Sequence, residues 1–435
     1  MKDLFRSAMQ WLTDARWARG VVDTLFRGRA RRRFAELDHQ SIARSQNRAM
    51  LGLVHKAGTT RFGRDHDFRR IRDAADFRRL VPLRTPAELW REYWQPAFPN
   101  LGGATWPGPI NYVAVSASNQ PGAFPYVPFS PALWAAHQAA AMTALAFVMH
   151  SRPQSRLCAG RLLLLDSGAM LTPLSSLESA ECLEAVAIRR LPAVLQSYAL
   201  TSQPLMPSDG QLHQQAIYRL GERSTDQPVT CLAGDSRRLL EIVSHARQIT
   251  GRERLIDIWP QLAAIIYTPD SHRTTKEDLV KQLGPDVPLL LEMCFRPEGT
   301  LAVEDPRFGQ LRLLHDDGCY FEFVPLDEIG KPRPKRYTAD EVKLGVPYAV
   351  ALSSPAGVWA CLAGSVIQFE RRRPLLFRLV HDAFIPKLPA PPKIATTAKP
   401  VRVPLPPPHL RIAGMLAELP GKPFRNSLSA RAGRE

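Results

Sequence analysis

The sequence lacks the cysteine pairs and spacings that build disulfide frameworks or zinc sites. Its six cysteines are scattered over 435 residues without a C-x-x-C pair, which is typical of reduced thiols in a cytoplasmic protein. A continuous apolar run is also missing from residues 1–10, which carry mixed charge, so no secretory signal peptide is predicted. These absences favour a cytoplasmic protein without structural disulfides or zinc.

An uninterrupted membrane-spanning run is absent too. The most apolar stretch, Ala132–Met149, contains His137 and Gln138, and we interpret it as a buried helix rather than a transmembrane span. The apolar content of 45% is normal for a globular chain. The length is sufficient for a large core and predicts two lobes.

The net charge of +16 is concentrated at the two ends of the chain. Residues 1–50 carry 11 Lys/Arg and 5 Asp/Glu, and residues 386–435 carry 9 and 2. Basic surfaces attract nucleic acid or anionic membranes. No basic motif is interleaved with aromatic residues, so no specific nucleic-acid partner is predicted. We interpret the ends as solvated arms, with weak peripheral contact with anionic surfaces as the alternative.

Composition divides the chain into three predicted regions. Residues 1–45 form basic amphipathic helices that pack on the main domain, with a membrane-surface helix as the alternative. Residues 46–385 form an α/β domain, and residues 386–435 form a proline-rich basic tail without fixed structure. Strand–helix–strand alternation at 262–294 predicts a parallel sheet. Within the α/β domain, residues 171–230 are predicted to be a mixed helical region, and hairpins are predicted at 311–324 and 348–369.

A small polar loop between an apolar strand and a long helix is the central feature of the chain. The strand ends at Val115 and the helix runs over Pro131–His150. This arrangement cradles phosphates, because backbone N–H groups and the helix dipole face the loop. Here, however, the loop has one glycine and no lysine, and it contains Pro121 and Pro125, which have no N–H to donate.

The segment Phe62–Phe68 reads F-G-x-x-H-x-F and contains His66. A histidine in such a motif is a candidate catalytic base, although a hydrogen-bonded structural histidine is the commoner case. Both interpretations stay open from the sequence.

Taken in order, a set of motifs resembles the plant auxin-responsive Gretchen Hagen family and its bacterial relatives, from which this chain diverges. The motifs are Phe62–Phe68, Val81–Leu83, Trp106–Ile110, the loop 116–130, Trp259–Leu262, Glu298-Gly299, Phe321–Leu326 and Gly357–Trp359. Members are acid–amido synthetases of the acyl-adenylate-forming superfamily. The resemblance covers about 46–384. It implies an α/β fold like their large N-terminal domain, with parallel sheets flanked by helices and antiparallel hairpins.

The resemblance also implies a ligase reaction and its ligands. The family activates a small carboxylic acid with ATP and magnesium and transfers the acyl group to an amine, usually of an amino acid. It places nucleotide-binding candidates at Ser116, Ser118 and Asn119 in the loop, at Glu298, and at Ser365. Glu298 is also the candidate magnesium ligand.

The polar motifs of the family are altered in this chain. Pro125 stands where the loop lysine is expected, and Ser365 replaces an aspartate that holds the ribose hydroxyls. The family's W-R-Y-R is here Trp359, Ala360, Cys361 and Leu362. A serine makes one weak hydrogen bond where a carboxylate makes two charge-assisted ones.

These departures favour a degenerate, non-adenylating relative, a pseudoenzyme retained as a binding or interaction scaffold. No lid-domain pattern follows Arg378–His381, so a C-terminal lid is predicted to be absent, and no catalytic residue is assigned. The alternative is an active ATP-dependent ligase that joins a carboxylic acid to an amino acid or other amine. Whether the chain is an enzyme is left open by the sequence.

Overall fold

A computed structural model describes residues 16–110, 112–115, 126–165, 172–174, 177–181, 198–201, 210–269 and 274–380. Within these ranges, the helices are α1 (Arg16–His39), α2 (Ile42–Ala57), α3 (Arg61–Asp65), α4 (Ala74–Leu80), α5 (Pro86–Leu89), α6 (Pro131–Ser151), α7 (Gly210–Thr225), α8 (Ser236–Thr250), α9 (Leu255–Ile258) and α10 (Lys276–Leu283). The strands are β1 (Tyr112–Val115), β2 (Tyr126–Pro128), β3 (Arg161–Leu164), β4 (Thr172–Leu174), β5 (Leu177–Glu181), β6 (Ala199–Thr201), β7 (Val229–Asp235), β8 (Ala264–Thr268), β9 (Leu289–Cys294), β10 (Ala302–Asp305), β11 (Gln310–Leu313), β12 (Tyr320–Pro325), β13 (Pro347–Ser354), β14 (Val358–Arg372) and β15 (Leu375–Leu379).

The largest sheet has a parallel half and an antiparallel half. Its eleven strands follow the order β12-β13-β14-β15-β11-β10-β9-β8-β7-β3-β6. The strands from β9 to β6 pair in parallel, and α8 and α10 provide the crossovers that parallel neighbours require. The pairs from β9 to β12 are antiparallel. The predicted α/β class and the parallel sheet at 262–294 are confirmed.

A second, four-stranded sheet has the order β2-β1-β5-β4. The predicted strand before the polar loop is β1, and the predicted long helix is α6. Strand β2, which pairs with β1 in antiparallel fashion, was not predicted. The prediction of a mixed helical region over 171–230 is correct for α7 and wrong for the described segments that form β4, β5 and β6. These strands are short, so their apolar periodicity is too brief to separate them from helix.

One predicted hairpin is confirmed and the other is wrong. Strands β13 and β14 pair as expected, but β11 pairs with β10 and β15 rather than with β12. The Asp316-Asp317 turn between β11 and β12 is used for a different contact. Both carboxylates bind the guanidinium of Arg33 on α1, at 2.5 and 2.8 Å.

Helix α1 packs on the main domain. It continues through the arginine-rich run 27–33, and Phe34 stacks against His150 of α6 at a ring separation of 4.0 Å. Beneath α1, α6 is long and apolar enough to span a membrane. Its side chains instead pack among α1, β9 and β10 in the core. The predicted tail, from residue 386, and the predictions about a lid after residue 381 concern residues outside the described ranges.

Candidate active site

Glu298 lies in the turn that joins β9 to β10. Its side chain is 12% exposed, and its Oε1 atom lies 3.8 Å from Nη1 of Arg296. Burial raises the pKa of Glu298, and the nearby Arg296 guanidinium partly opposes that shift. The candidate magnesium ligand is therefore a largely buried carboxyl group that faces a cation of its own turn.

The Glu298 turn is fixed by close packing. A Cβ atom at Gly299 would lie 3.0 Å from Sγ of Cys319, so only glycine fits there without displacing a neighbour. Thr300 Oγ1 lies 3.1 Å from Nδ1 of His137 on α6, and the His137 ring meets Phe295 edge to face at 4.8 Å. Burial lowers the pKa of His137 to about 4, so the ring is neutral near pH 7. The turn is thus anchored to α6, the helix that follows the polar loop.

The segment that corresponds to the family's W-R-Y-R motif lies in the protein core. Ala360 is fully buried, Cys361 is 1% exposed and Leu362 is 5% exposed. The backbone of Arg84 covers this segment, because its N–H donates to Ala360 O at 3.1 Å and its carbonyl accepts from Leu362 N at 2.8 Å. Three positions that are polar in the family are therefore occupied here by packed side chains under a second chain segment.

Glu298 and this buried segment are neighbours. A Cβ atom at Gly299 would lie 3.3 Å from Cδ2 of Leu352, and Leu352 pairs with Cys361 between β13 and β14. Burial, followed by the Glu298 carboxylate, raises the pKa of the Cys361 thiol. The Glu298 turn therefore lies beside the segment Trp359–Leu362, which we call the late motif.

Ser365 lies farther along β14, at an irregularity in its pairing with β13. The register shifts between Ala349 and Ala351, and Gly364 adopts a φ of 72°, in the left-handed region that glycine tolerates. Ser365 itself is 8% exposed. Within the described residues, no hydrogen bond joins Ser365 to Glu298, so these two candidates are not linked directly.

The three loop candidates, Ser116, Ser118 and Asn119, lie outside the described residues. The helix start that follows them is described. Ser130 caps α6 by accepting from Leu133 N at 3.0 Å, and its hydroxyl donates to Pro355 O at 2.6 Å. Ser130 is 1% exposed. The N-terminus of α6 is therefore capped by the protein's own side chain and packed against the β13–β14 turn.

The described residues do not form an all-protein magnesium site. They contain no group of three or more His, Cys, Asp or Glu side chains that could hold a metal. Magnesium usually keeps several waters and is bound through one or two carboxylates together with substrate phosphates. Glu298 offers one buried carboxyl, and Arg296 already supplies its counter-charge. No chemical step through a metal can be derived from this part of the chain.

His66 forms part of a buried polar network. Its Nδ1 lies 2.9 Å from Leu80 O, and its Nε2 lies 3.2 Å from Nη2 of Arg84. Because the carbonyl can only accept, Nδ1 carries the proton and Nε2 accepts from Arg84. Burial, followed by the Arg84 charge, lowers the pKa of His66 to about 4. These contacts support the structural interpretation of His66 over the catalytic one.

Acid is expected to weaken the fold through His66. Its folded pKa of about 4 lies below the ordinary histidine value of 6.5. The unfolded chain therefore binds more protons between these values, and stability present above pH 6.5 is lost as the pH falls toward 4. We expect His66→Gln to remove about 1–2 kcal/mol of the loss between pH 7 and pH 5, measured by urea unfolding. The control is His55→Gln, at an exposed histidine. If His66→Gln loses as much stability between pH 7 and pH 5 as the unmodified chain does, His66 is not the cause of the acid sensitivity.

Comparisons with known proteins give a family domain and a fold. Residues 312–381 match the sequence model described as the GH3 family central domain. This match confirms the resemblance to the Gretchen Hagen family over the segment that carries β12, β13 and β14. No curated protein sequence matches the chain.

Several solved structures share the fold. The GH3.15 acyl acid amido synthetase in complex with 2,4-DB has a TM-score of 0.63 at 12% identity, over 81% of this chain and 70% of that chain. A second GH3.15 structure has a TM-score of 0.61 at 13% identity, over 80% and 69%. A 2-hydroxyisobutyryl-CoA ligase in the postadenylation state, in complex with R3-HIB-AMP, has a TM-score of 0.51 at 14% identity, over 79% and 68%. The predicted likeness to the large domain of adenylate-forming enzymes is therefore confirmed at the level of the fold.

Proposed function

Because this chain carries a GH3 family central domain on the fold of the acyl acid amido synthetases, we propose that it is a non-adenylating member retained as a binding or interaction scaffold. The family scaffold remains, while the polar groups that would hold ATP have been exchanged. A cytoplasmic location belongs to the same proposal. It is supported by the described cysteines, which are free thiols.

The observation that carries this proposal is the burial of Ala360, Cys361 and Leu362. In the family pattern these positions hold two arginines and a tyrosine, which suit an open nucleotide cleft. Here small and aliphatic side chains pack beneath the Arg84 segment. An adenylate phosphate needs charged donors in a site that excludes water. At these positions the described residues offer apolar surface instead.

A second candidate function, an ATP-dependent acid–amino acid ligase, is favoured by one specific observation. Glu298 stands at the family's glutamate position and lies close to the late motif at Cys361. The structural relatives are named as an acyl acid amido synthetase and as a CoA ligase in complex with an acyl-AMP. On this alternative the chain would take a small carboxylic acid, an amine, ATP and magnesium. Catalysis would then depend on the loop residues Ser116, Ser118 and Asn119.

Nucleotide binding separates the two candidates. We expect calorimetric titration of the full chain with ATP and magnesium to show no saturable binding. We also expect no carboxylate-dependent exchange of pyrophosphate into ATP with aliphatic, aromatic or indole acids. The physical reason is that the buried late motif offers no cation for phosphate and no carboxylate for ribose.

The matched variants are Glu298→Ala and Glu277→Ala, the latter at an exposed carboxylate on α10. Binding or exchange that is lost in Glu298→Ala and kept in Glu277→Ala would reject the scaffold proposal in favour of the ligase.

A further inference from the structure

The outward face of α1 combines exposed aliphatic side chains with arginines. Leu25 is 68% exposed and Val21 is 52% exposed, and both lie on the face opposite the buried Asp23, Ala30 and Phe34. Leu25 is the most exposed large hydrophobic side chain among the described residues. Because Val21 and Leu25 lie one helical turn apart, their side chains are adjacent and form a continuous apolar ridge on the surface.

Arginines continue and flank this ridge. At 100° per residue, Arg32 lies on the line of Val21 and Leu25, and Arg29 and Arg31 lie on either side of it. All three are exposed. Within the described residues none of them forms an ion pair or a side-chain hydrogen bond. The exposed acids among the described side chains of α1 are Glu36 and Asp38, and Asp38 pairs with Arg307 and Arg312. The ridge is therefore cationic as well as apolar.

A cleft of about 660 Å³ lies beside the ridge, between α1 and the loop that follows α6. Val21 and Leu25 line one wall, and Pro153 and Arg156 line the other. Arg27 holds this loop in place, because it pairs with Asp23 at 2.9 Å and donates to Ser155 O at 2.7 Å. Arg156 is exposed and without a described side-chain partner. The cleft thus brings a further cation next to the apolar ridge on a fixed surface.

We propose that this surface, formed by Val21, Leu25, Arg29, Arg31, Arg32 and Arg156, docks on an anionic phospholipid bilayer. The two aliphatic side chains enter the interface, and the guanidinium groups bind lipid phosphates. Basic residues with aliphatic side chains on one helix face suit such an interface, and each arginine near an anionic leaflet adds electrostatic attraction. Nucleic acid fits less well, since the described side chains of the ridge include no aromatic ring on which bases could stack.

Vesicle co-sedimentation of the full chain tests the proposal. The probe vesicles contain equal parts of phosphatidylserine and phosphatidylcholine, with pure phosphatidylcholine as the neutral comparison. We expect binding to the anionic vesicles alone, with a steep decrease as salt is raised. The triple variant Arg29→Gln/Arg31→Gln/Arg32→Gln should lower the partition coefficient by about a hundredfold. Val21→Ser/Leu25→Ser should lower it by about tenfold.

Matched controls separate a defined surface from overall charge. The variant Arg44→Gln/Arg48→Gln/Arg69→Gln removes three exposed arginines elsewhere, and Ile256→Ser/Leu344→Ser removes two exposed aliphatic side chains elsewhere. Both should bind as the unmodified chain does. Equal losses in the control variants, or no binding to anionic vesicles, would overturn the proposal. Binding to single-stranded RNA that displaces the vesicles and is unaffected by Val21→Ser/Leu25→Ser would assign the surface to nucleic acid instead.

Discussion

Replacing Trp359 with alanine is expected to lower the free energy of unfolding by about 3–5 kcal/mol, the range for deleting a large aromatic side chain from a core. The Trp359 ring is fully buried. It stacks on Phe62 at 5.8 Å and meets the edge of Phe68 at 4.7 Å. Its Nε1 donates to Thr105 O at 3.1 Å. The substitution would therefore leave a cavity and an unpaired buried carbonyl.

Trp359, on β14, packs against the segment Phe62–Phe68 and lies in the part of the chain that matches the GH3 family central domain. The junction is close, because a Cβ atom at Gly357 would lie only 2.2 Å from Thr105 Oγ1. Chemical denaturation monitored by circular dichroism would measure the loss. Trp134→Ala, at a half-buried tryptophan on α6, is the control and should cost less. Equal costs for the two variants would mean that the junction does not depend on Trp359.

The elements predicted correctly from the sequence are those with long periodic patterns. Helix α8 begins at Ser236 behind an Asp235 cap and shows its apolar face clearly over several turns. Strands β8 and β9 are apolar runs on either side of α10, and this order alone implies a parallel pair. For such elements, local pattern and tertiary packing agree.

The errors have a common physical origin in long-range contacts. The Asp316-Asp317-Gly318 turn resembles a hairpin turn, but its carboxylates bind Arg33, which is 283 residues away in the chain from Asp316. No local signal encodes that pairing. Strand β15 then takes the place beside β11 that a hairpin partner would have occupied.

The candidate site was only partly predictable for the same reason. The sequence identified Glu298 through its motif, and the structure places it near Cys361. The contribution of Arg84 was missed, although its backbone covers Ala360 and Leu362. Nothing in the sequence of the loop Val81–Thr85 indicates that the backbone of Arg84 forms hydrogen bonds with β14. The apolar residues at 360–362 were the only sequence signal at this place. They indicated that the polar groups of the motif are lost, but not that the Arg84 backbone covers the segment.

Introducing the family's arginine at one of these positions is expected to damage the fold without restoring nucleotide binding. Leu362 packs against Val324, Ala349 and Ala351 in a small cluster and is 5% exposed. A guanidinium group there would be buried without a counter-charge. We expect Leu362→Arg to lower the free energy of unfolding by about 3–5 kcal/mol, the cost of an uncompensated buried charge.

The matched control is Leu344→Arg, because Leu344 is 45% exposed and the new charge stays in water. We expect its free energy of unfolding to change by no more than about 0.5 kcal/mol. Thermal unfolding of both variants gives the stability difference, and calorimetric titration with ATP and magnesium gives the functional one. If the late motif has become core, Leu362→Arg is unstable and binds no ATP. A stable Leu362→Arg protein with new ATP binding would show instead that the cleft beneath Arg84 still accepts a polar group, and it would favour the ligase.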